Sequence, residues 1–402
     1  MSRDQLVQIA RRGIAHYRNG TVDQAEAQMR VPTTIYTDPD RWKIEVDRVF
    51  KRLPLMLAFS VELPGPGSYR ALEVAGVPVL LTRGNDDAVR AFVNMCSHRG
   101  AIVVEEGTGT ARRFSCPYHA WTYDTTGDLV GVFDAERFGE LDRSCLGLTP
   151  LPVAERAGMI WVVLTPGSTV DIDGFLCGYD AMLGHLDLAN CHLVGRQTLV
   201  GPNWKVAYDG YIDYYHLPIL HRDTFGPDMS SKAMYDAWGP HQRLACPDRH
   251  YGPLADLPED QWTTNALIGG VWTIFPHVSI AAFDSGGKVW MVSQLFPGAT
   301  VDQSVTVQNF MHTCPPTDEQ AEAMVERMKF NYNVVQNEDY YTGLRIQRAI
   351  KTGAKKEFIF GRNESGGHRF HRWVQAILDA PDDAAVAELF ANPAGKPGVT
   401  LG

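Results

Sequence analysis

Four residues in the first third of the chain are of the types that bind soft metal ions, and they come as two pairs. Cys96-Ser97-His98 is followed, after the seventeen residues from Arg99 through Ser115, by Cys116-Pro117-Tyr118-His119. Each pair sets one thiol and one imidazole beside a turn, so two loop tips could present four ligands to one centre. Two chemistries suit such a set. A single zinc ion takes four nitrogen or sulfur ligands in a tetrahedron; a two-iron cluster takes two thiolates on one iron and two imidazoles on the other. Spacing separates them. Zinc ligands commonly pair like with like, or lie two to four residues apart ahead of a helix, whereas each pair here mixes Cys with His among short β-like runs. This favours the two-iron centre, whose imidazoles raise its potential above that of all-cysteine clusters.

A second set lies between Asn203 and His221. His216 and His221 are five residues apart, which on a straight helix leaves them roughly 140° apart around the axis. They can meet at one ion only where the helix ends or bends between them. Pro218, which removes a backbone donor and restricts Leu217, supplies that break. Asp213 lies three residues before His216, a spacing that makes neighbours on a helix face. There its carboxylate can accept from the non-ligating ring nitrogen and fix the tautomer of a metal-bound histidine. Two histidines need a carboxylate to complete a 2-His-1-carboxylate iron site, and spacing alone does not say which.

The run CSHRG…CPYHAWTYD resembles the Rieske domain of aromatic-ring-hydroxylating oxygenase large subunits. The resemblance implies that Cys96 and Cys116 bind one iron of a [2Fe–2S] cluster and His98 and His119 the other, with Trp121 and Tyr123 packed beside it. Asn203-Trp204-Lys205, the acidic Asp209 and the acidic residue three before His216 are similar to the mononuclear-iron segment of the same family. On that likeness His216 and His221 are ligands of a mononuclear Fe(II). Gln336-Asn337-Glu338-Asp339-Tyr340, ahead of Ile346-Gln347-Arg348, then supplies the carboxylate from Asp339, with Glu338 the competing choice. There is one departure: Gly210 follows Asp209 where many members carry asparagine. That removes a contact near the iron and leaves a roomier pocket.

The family's activity is that of a terminal oxygenase, which uses O2 and electrons from a reductase or ferredoxin to hydroxylate an aromatic or similar apolar substrate. A monooxygenase that demethylates at nitrogen or oxygen would share every motif above. An electron-transfer or iron-sensing protein with an inactive second site would have no use for His216, His221 and Asp339 together. The resemblance also implies a homotrimer, with or without a small β subunit. In it electrons pass from the cluster at His119 to Asp213 and His216 of the neighbouring subunit. No G-x-G-x-x-G nucleotide fingerprint occurs, so the electrons are expected from a separate protein.

These residues need scaffolding, and 402 residues favour two domains over one. The fold class expected is α+β: a small all-β Rieske domain plus a larger, helix-grip-like α+β catalytic domain with an antiparallel sheet. Residues 1–44 read as an N-terminal segment packing with the catalytic domain, 45–165 as the Rieske domain and 166–402 as the catalytic domain. The N-terminal segment opens on a helical stripe of Leu6, Ile9, Ala10, Ile14 and Tyr17. Strand-like runs follow at Val77–Thr82, Val89–Met95, Arg113–Tyr123, Asp128–Phe133 and Met159–Leu164. Further on, Val271–Phe283 and Lys288–Phe296 flank a hairpin turn at Asp284–Gly287, and Val305–His312 is another strand. Thr317 with Gln320 caps a helical stretch that runs towards Ile350. At about 35 residues it is long for one helix, so a break is expected near Asn337 or Gly343.

The remaining features exclude more than they assign. A net charge of −10, from 37 basic and 47 acidic residues, argues against nucleic acid as a partner. No apolar run approaches the roughly 18 residues of a membrane span, and Met1-Ser2-Arg3-Asp4 lacks a secretory pattern. A cytoplasmic enzyme is the expectation. Cys145, Cys177, Cys191, Cys246 and Cys314 show no ligand spacing and read as ordinary thiols. His368 and His371 read as surface or packing residues. Tyr208, Leu217, Leu220, Phe225 and the strand Ile274–Phe283 are candidate pocket walls. The Pro/Gly-rich tail from Asn392 to Gly402 is expected to fray.

Overall fold

The computed structural model describes residues 2–391, and the tail from Asn392 lies outside the described residues. The chain forms two compact units. Among the described residues, one comprises Phe50–Ile172 with Leu188–Asn190; the other comprises 2–49, Asp173–Asp187 and 191–391.

The smaller unit is built from short antiparallel strands. Five of them pair in the order Pro150–Leu151, Val89–Val93, Val77–Arg83, Ser68–Val74, Gly107–Thr110. Two three-stranded sheets complete it, one of Val153–Arg156, Met159–Val162 and Leu55–Phe59, the other of Arg113–Ser115, Thr122–Asp124 and Leu129–Gly131. The run Arg113–Tyr123 is therefore a hairpin and not one strand, because Cys116 through Trp121 turn the chain back at its tip.

The larger unit is built on a seven-stranded antiparallel sheet. Its strand order is His192–Gly201, Ser304–His312, Lys288–Pro297, Val278–Asp284, Val271–Ile274, His241–Ala245, Met234–Trp238. Asp284 pairs with Lys288 across the expected hairpin. The run Val271–Phe283 is split, since Pro276 cannot donate to a ladder and Phe275–His277 become a turn between two strands. Helix Trp204–Tyr211 packs on the central strands and helix Asp318–Val334 on an outer one. The second begins at a complete capping box, with Thr317 Oγ1 accepting from Gln320 N and Gln320 Oε1 accepting from Thr317 N.

The helical stretch breaks at Val335–Asp339, a single π-helical turn, before resuming as Tyr340–Ile350. The break is thus at Asn337. Gly343 serves another purpose: a Cβ there would meet Pro202 at 2.7 Å, so its absence lets this helix approach the segment that leads into Trp204–Tyr211.

That segment is anchored from beneath. Asn203 caps the helix by accepting from Lys205 N at 2.9 Å, Trp204 is fully buried, and the fully buried Lys205 ammonium pairs with the fully buried Glu45. Glu45 also accepts from Trp204 Nε1 and Arg41 Nε, each at 2.9 Å. The shared sequence Asn-Trp-Lys is a cap, a core residue and an internal ion pair. Removing one member of a buried pair strands the other charge, at a cost of about 3–5 kcal/mol. Glu45→Ala is therefore expected to lower the first unfolding midpoint in urea well below that of Lys43→Ala, whose partner Asp40 is exposed.

Candidate functional site

In the smaller unit two tight loops face each other. In the first, Cys96 N donates to Ala101 O at 2.8 Å and Gly100 adopts φ +75°; in the second, Cys116 N donates to Trp121 O at 2.8 Å. Gly100 thus supplies loop geometry that a residue with a side chain adopts only with strain. Both thiols are buried and free. The rings of His98 and His119 stand 4.6 Å apart, and the Nδ1 atom of each is buried without a hydrogen-bond partner. A buried imidazole nitrogen left unpaired is costly unless it binds something. Two such nitrogens, on loops that each also carry a buried thiol, fit a [2Fe–2S] cluster held by two imidazoles and two thiolates. Trp121 stacks on His98 at 4.9 Å, and the Tyr123 hydroxyl lies 3.3 Å from Cys96 Sγ while accepting from Ser97 N at 2.9 Å.

In the larger unit the helix Trp204–Tyr211 stops at Ile212, and Asp213 lies in the irregular turn beyond it. Asp213 is not on a helix face with His216, as the spacing had predicted. One carboxylate oxygen accepts from Tyr215 N and closes the turn, which brings the other to 3.0 Å from His216 Nδ1. Pro218 likewise starts a helix where a break was expected: His216 precedes the single turn Leu217–Leu220, with Pro218 at its second position, and His221 ends it. The two imidazoles flank this turn, and their Nε2 atoms converge.

Asp339 completes the group. Its Oδ1 lies 3.2 Å from His221 Nε2 and 3.7 Å from His216 Nε2. Among the described residues, His216, His221 and Asp339 are the one group of three or more metal-ligating side chains whose ligand atoms all lie within 4.8 Å of one another. Two imidazoles and a carboxylate so gathered fit a mononuclear Fe(II). Glu338 takes the opposite side of His221, with Oε2 2.6 Å from Nδ1, and also accepts from the Thr224 hydroxyl. Adjacent residues at the end of this π-helical turn thus face the two nitrogens of one imidazole, and turns of this kind are frequent at functional sites. Burial alone would lower the His221 pKa, but the hydrogen bonds and charges of Asp339 and Glu338 outweigh it and raise the pKa above the ordinary value. Glu338→Ala is expected to weaken iron binding about 10–100-fold while Glu338→Gln, which can still accept from Nδ1–H, loses less; competition with a chelator measures both.

A cavity of about 160 Å³ adjoins these ligands. Leu217, Phe225, Ala281 and Phe283 line it, as do Tyr211, Val334 and Met291, which periodicity did not single out. Tyr208 is instead core, 4.7 Å from the Phe370 ring. Gly210 also lines the cavity, and a Cβ added there would meet nothing within 4 Å, so the glycine leaves open space. His368 and His371 are buried packing residues; His371 Nε2 lies 3.0 Å from Asp209, which also accepts from the Tyr36 hydroxyl at 2.8 Å. The five other cysteines are free thiols. No helix among the described residues is long and apolar enough to cross a membrane.

Comparison with known proteins matches both sites. Residues 54–141 match the family described as Rieske [2Fe-2S] domain, and residues 186–380 match Ring hydroxylating alpha subunit (catalytic domain). The oxygenase subunit of carnitine monooxygenase from Escherichia coli (strain K12) is 27% identical over 341 residues, covering 83% of this chain and 86% of that one. The alpha subunit of chlorobenzene dioxygenase from Cupriavidus sp. (strain PS12) is 36% identical over 194 residues, 46% of this chain and 43% of that one. A quaternary ammonium Rieske monooxygenase crystallised with an inhibitor shares the fold at TM-score 0.73 and 21% identity, over 88% of this chain and 96% of that one.

Proposed function

This chain belongs to the Rieske-type ring-hydroxylating oxygenases, as their alpha or catalytic subunit, and from that premise we propose that it is a monooxygenase of small substrates bearing a methylated nitrogen. When bound, the two cofactors activate O2 at the mononuclear iron with electrons relayed by the Rieske cluster. The observation that carries the substrate reading is the cavity wall. Tyr211, Phe225, Phe283 and Tyr340 present aromatic rings, Asp213 and Asp339 are acidic, and among the described residues neither lysine nor arginine lines it. Aromatic faces attract the methyl groups of a quaternary ammonium ion. The relatives matched over most of their length include the carnitine enzyme, whereas the chlorobenzene enzyme matches over less than half.

The chain's own residues hold and orient. Asp213 and Glu338 each take the Nδ1 side of one histidine and so fix Nε2 as the ligating atom. One oxygen atom enters a C–H bond of the methyl group; the other leaves as water with two electrons and two protons, and the hydroxymethyl amine then loses formaldehyde. Family membership implies an electron-donating partner. We take it to be a separate flavin- or ferredoxin-type reductase, and the working assembly to be a trimer. A second reading, hydroxylation of a neutral aromatic molecule, draws on the same apolar walls. The test supplies a surrogate reductase and isotopically labelled O2 to a panel of N-methylated and neutral aromatic compounds. Formaldehyde with demethylated amine is the expected result; labelled phenols or dihydrodiols alone would establish the second reading.

A further inference from the structure

Along the helix Asp318–Val334, Asn331 and Val334 mark the face that looks into the cavity. Arg327 lies one turn before Asn331 on the same stripe, at the end away from Asp339, and is half-buried. Its guanidinium lies 5.8 Å from the ring of Phe283, which lines the cavity, and 5.4 Å from that of Phe330. Phe330 in turn stands 5.9 Å from the cavity-lining Phe225. Nη2 donates to the carbonyl of Asp284 at 3.1 Å. Two aromatic faces and one backbone acceptor thus fix the head of the side chain behind Phe283, a wall of the cavity.

A guanidinium has five N–H donors, and one hydrogen bond leaves most of them for another acceptor. Some arginines of this acidic chain are matched by carboxylates, Arg11 with Glu259, Arg12 with Asp23 and Asp236, Arg83 with Glu155 and Arg90 with Asp86, while others, Arg243 and Arg369 among them, bond backbone carbonyls. Among the described residues, Arg327 has no such carboxylate, although it is held in one place. A planar fork that is fixed but lacks a counter-ion is preorganised to receive a carboxylate.

We infer that Arg327 binds an anionic end of the substrate, so that the molecule carries a carboxylate at the rim and its reacting methyl group towards the iron. The methylated nitrogen rests on the function proposed above; the carboxylate rests on Arg327 alone. Calorimetry on the cofactor-loaded enzyme tests this with two matched pairs: γ-trimethylammonio-butyrate and its methyl ester, and para-methylbenzoate and its methyl ester. In at least one pair the acid is expected to bind about tenfold or more tighter than the ester, as the gain of a charge-assisted bond requires. Arg327→Met should abolish that preference and Arg327→Lys should keep part of it. If only the benzoate pair shows the preference, the carboxylate inference stands and the methylated-nitrogen reading falls. Equal binding of acid and ester in both pairs, no binding of either acid, or a preference that survives Arg327→Met overturns the inference.

Discussion

Asp339→Asn is expected to remove the mononuclear iron and leave the cluster's two irons in place, with loss of all measurable substrate oxidation. The geometry separates Asp339 from its neighbour. Asp339 Oδ1 lies beside the Nε2 atoms of both histidines, whereas Glu338 Oε2 lies beside Nδ1 of His221. One imidazole presents its two nitrogens in divergent directions, so a carboxylate on the Nδ1 side does not share an ion bound at Nε2. Partners of a ligand's far nitrogen are worth about 10–100-fold in metal affinity; a direct ligand must exceed that. Iron analysis, paired with the cluster's visible absorption, reads the two sites apart. An Asp339→Asn protein that keeps its full iron content and activity, beside a Glu338→Gln protein that loses both, would exchange the roles of the two residues.

Much of this was legible in the sequence, for reasons that differ by residue. Cys96, His98, Cys116 and His119 show themselves because each pair sits within one short loop, where spacing and geometry nearly coincide. The capping box at Thr317 is similarly local. Asp213 and His216 were correctly paired by the wrong route: they meet across a turn closed by Asp213 itself, and helical periodicity cannot express a turn of that kind. The place of Glu338 was out of reach. Whether it or Asp339 faces the histidines depends on one π-helical turn 117 positions from His221, and no local pattern encodes where such a turn aims its side chains. Phe283 was foreseen as a wall, but the split of its strand at Pro276 was missed because apolar texture continues through the turn.

Asp213→Ala carries the other large effect, and two accounts of the residue predict different measurements. Its carboxylate touches His216 Nδ1 on one side and Tyr215 N on the other, and the side chain is 23% exposed, so it is reachable from outside the larger unit. If Asp213 only orients His216, its loss weakens iron binding by about 10–100-fold, and activity per bound iron is unchanged. If it also bridges to the cluster of a neighbouring subunit, as we propose, iron saturation cannot rescue it. The prediction is the second: with iron restored to full content and the cluster absorption intact, substrate oxidation falls by more than about 100-fold, beyond what orientation of one ligand supplies. Stopped-flow absorbance isolates the step, because reduced cluster mixed with O2 and substrate should reoxidise slowly in the variant and quickly in the unmodified enzyme. Asp213→Glu, which restores a carboxylate, should recover part of that rate, while Asp213→Asn keeps an acceptor for Nδ1–H without the charge. Cluster reoxidation at the unmodified rate in Asp213→Ala would reduce the residue to a support for His216.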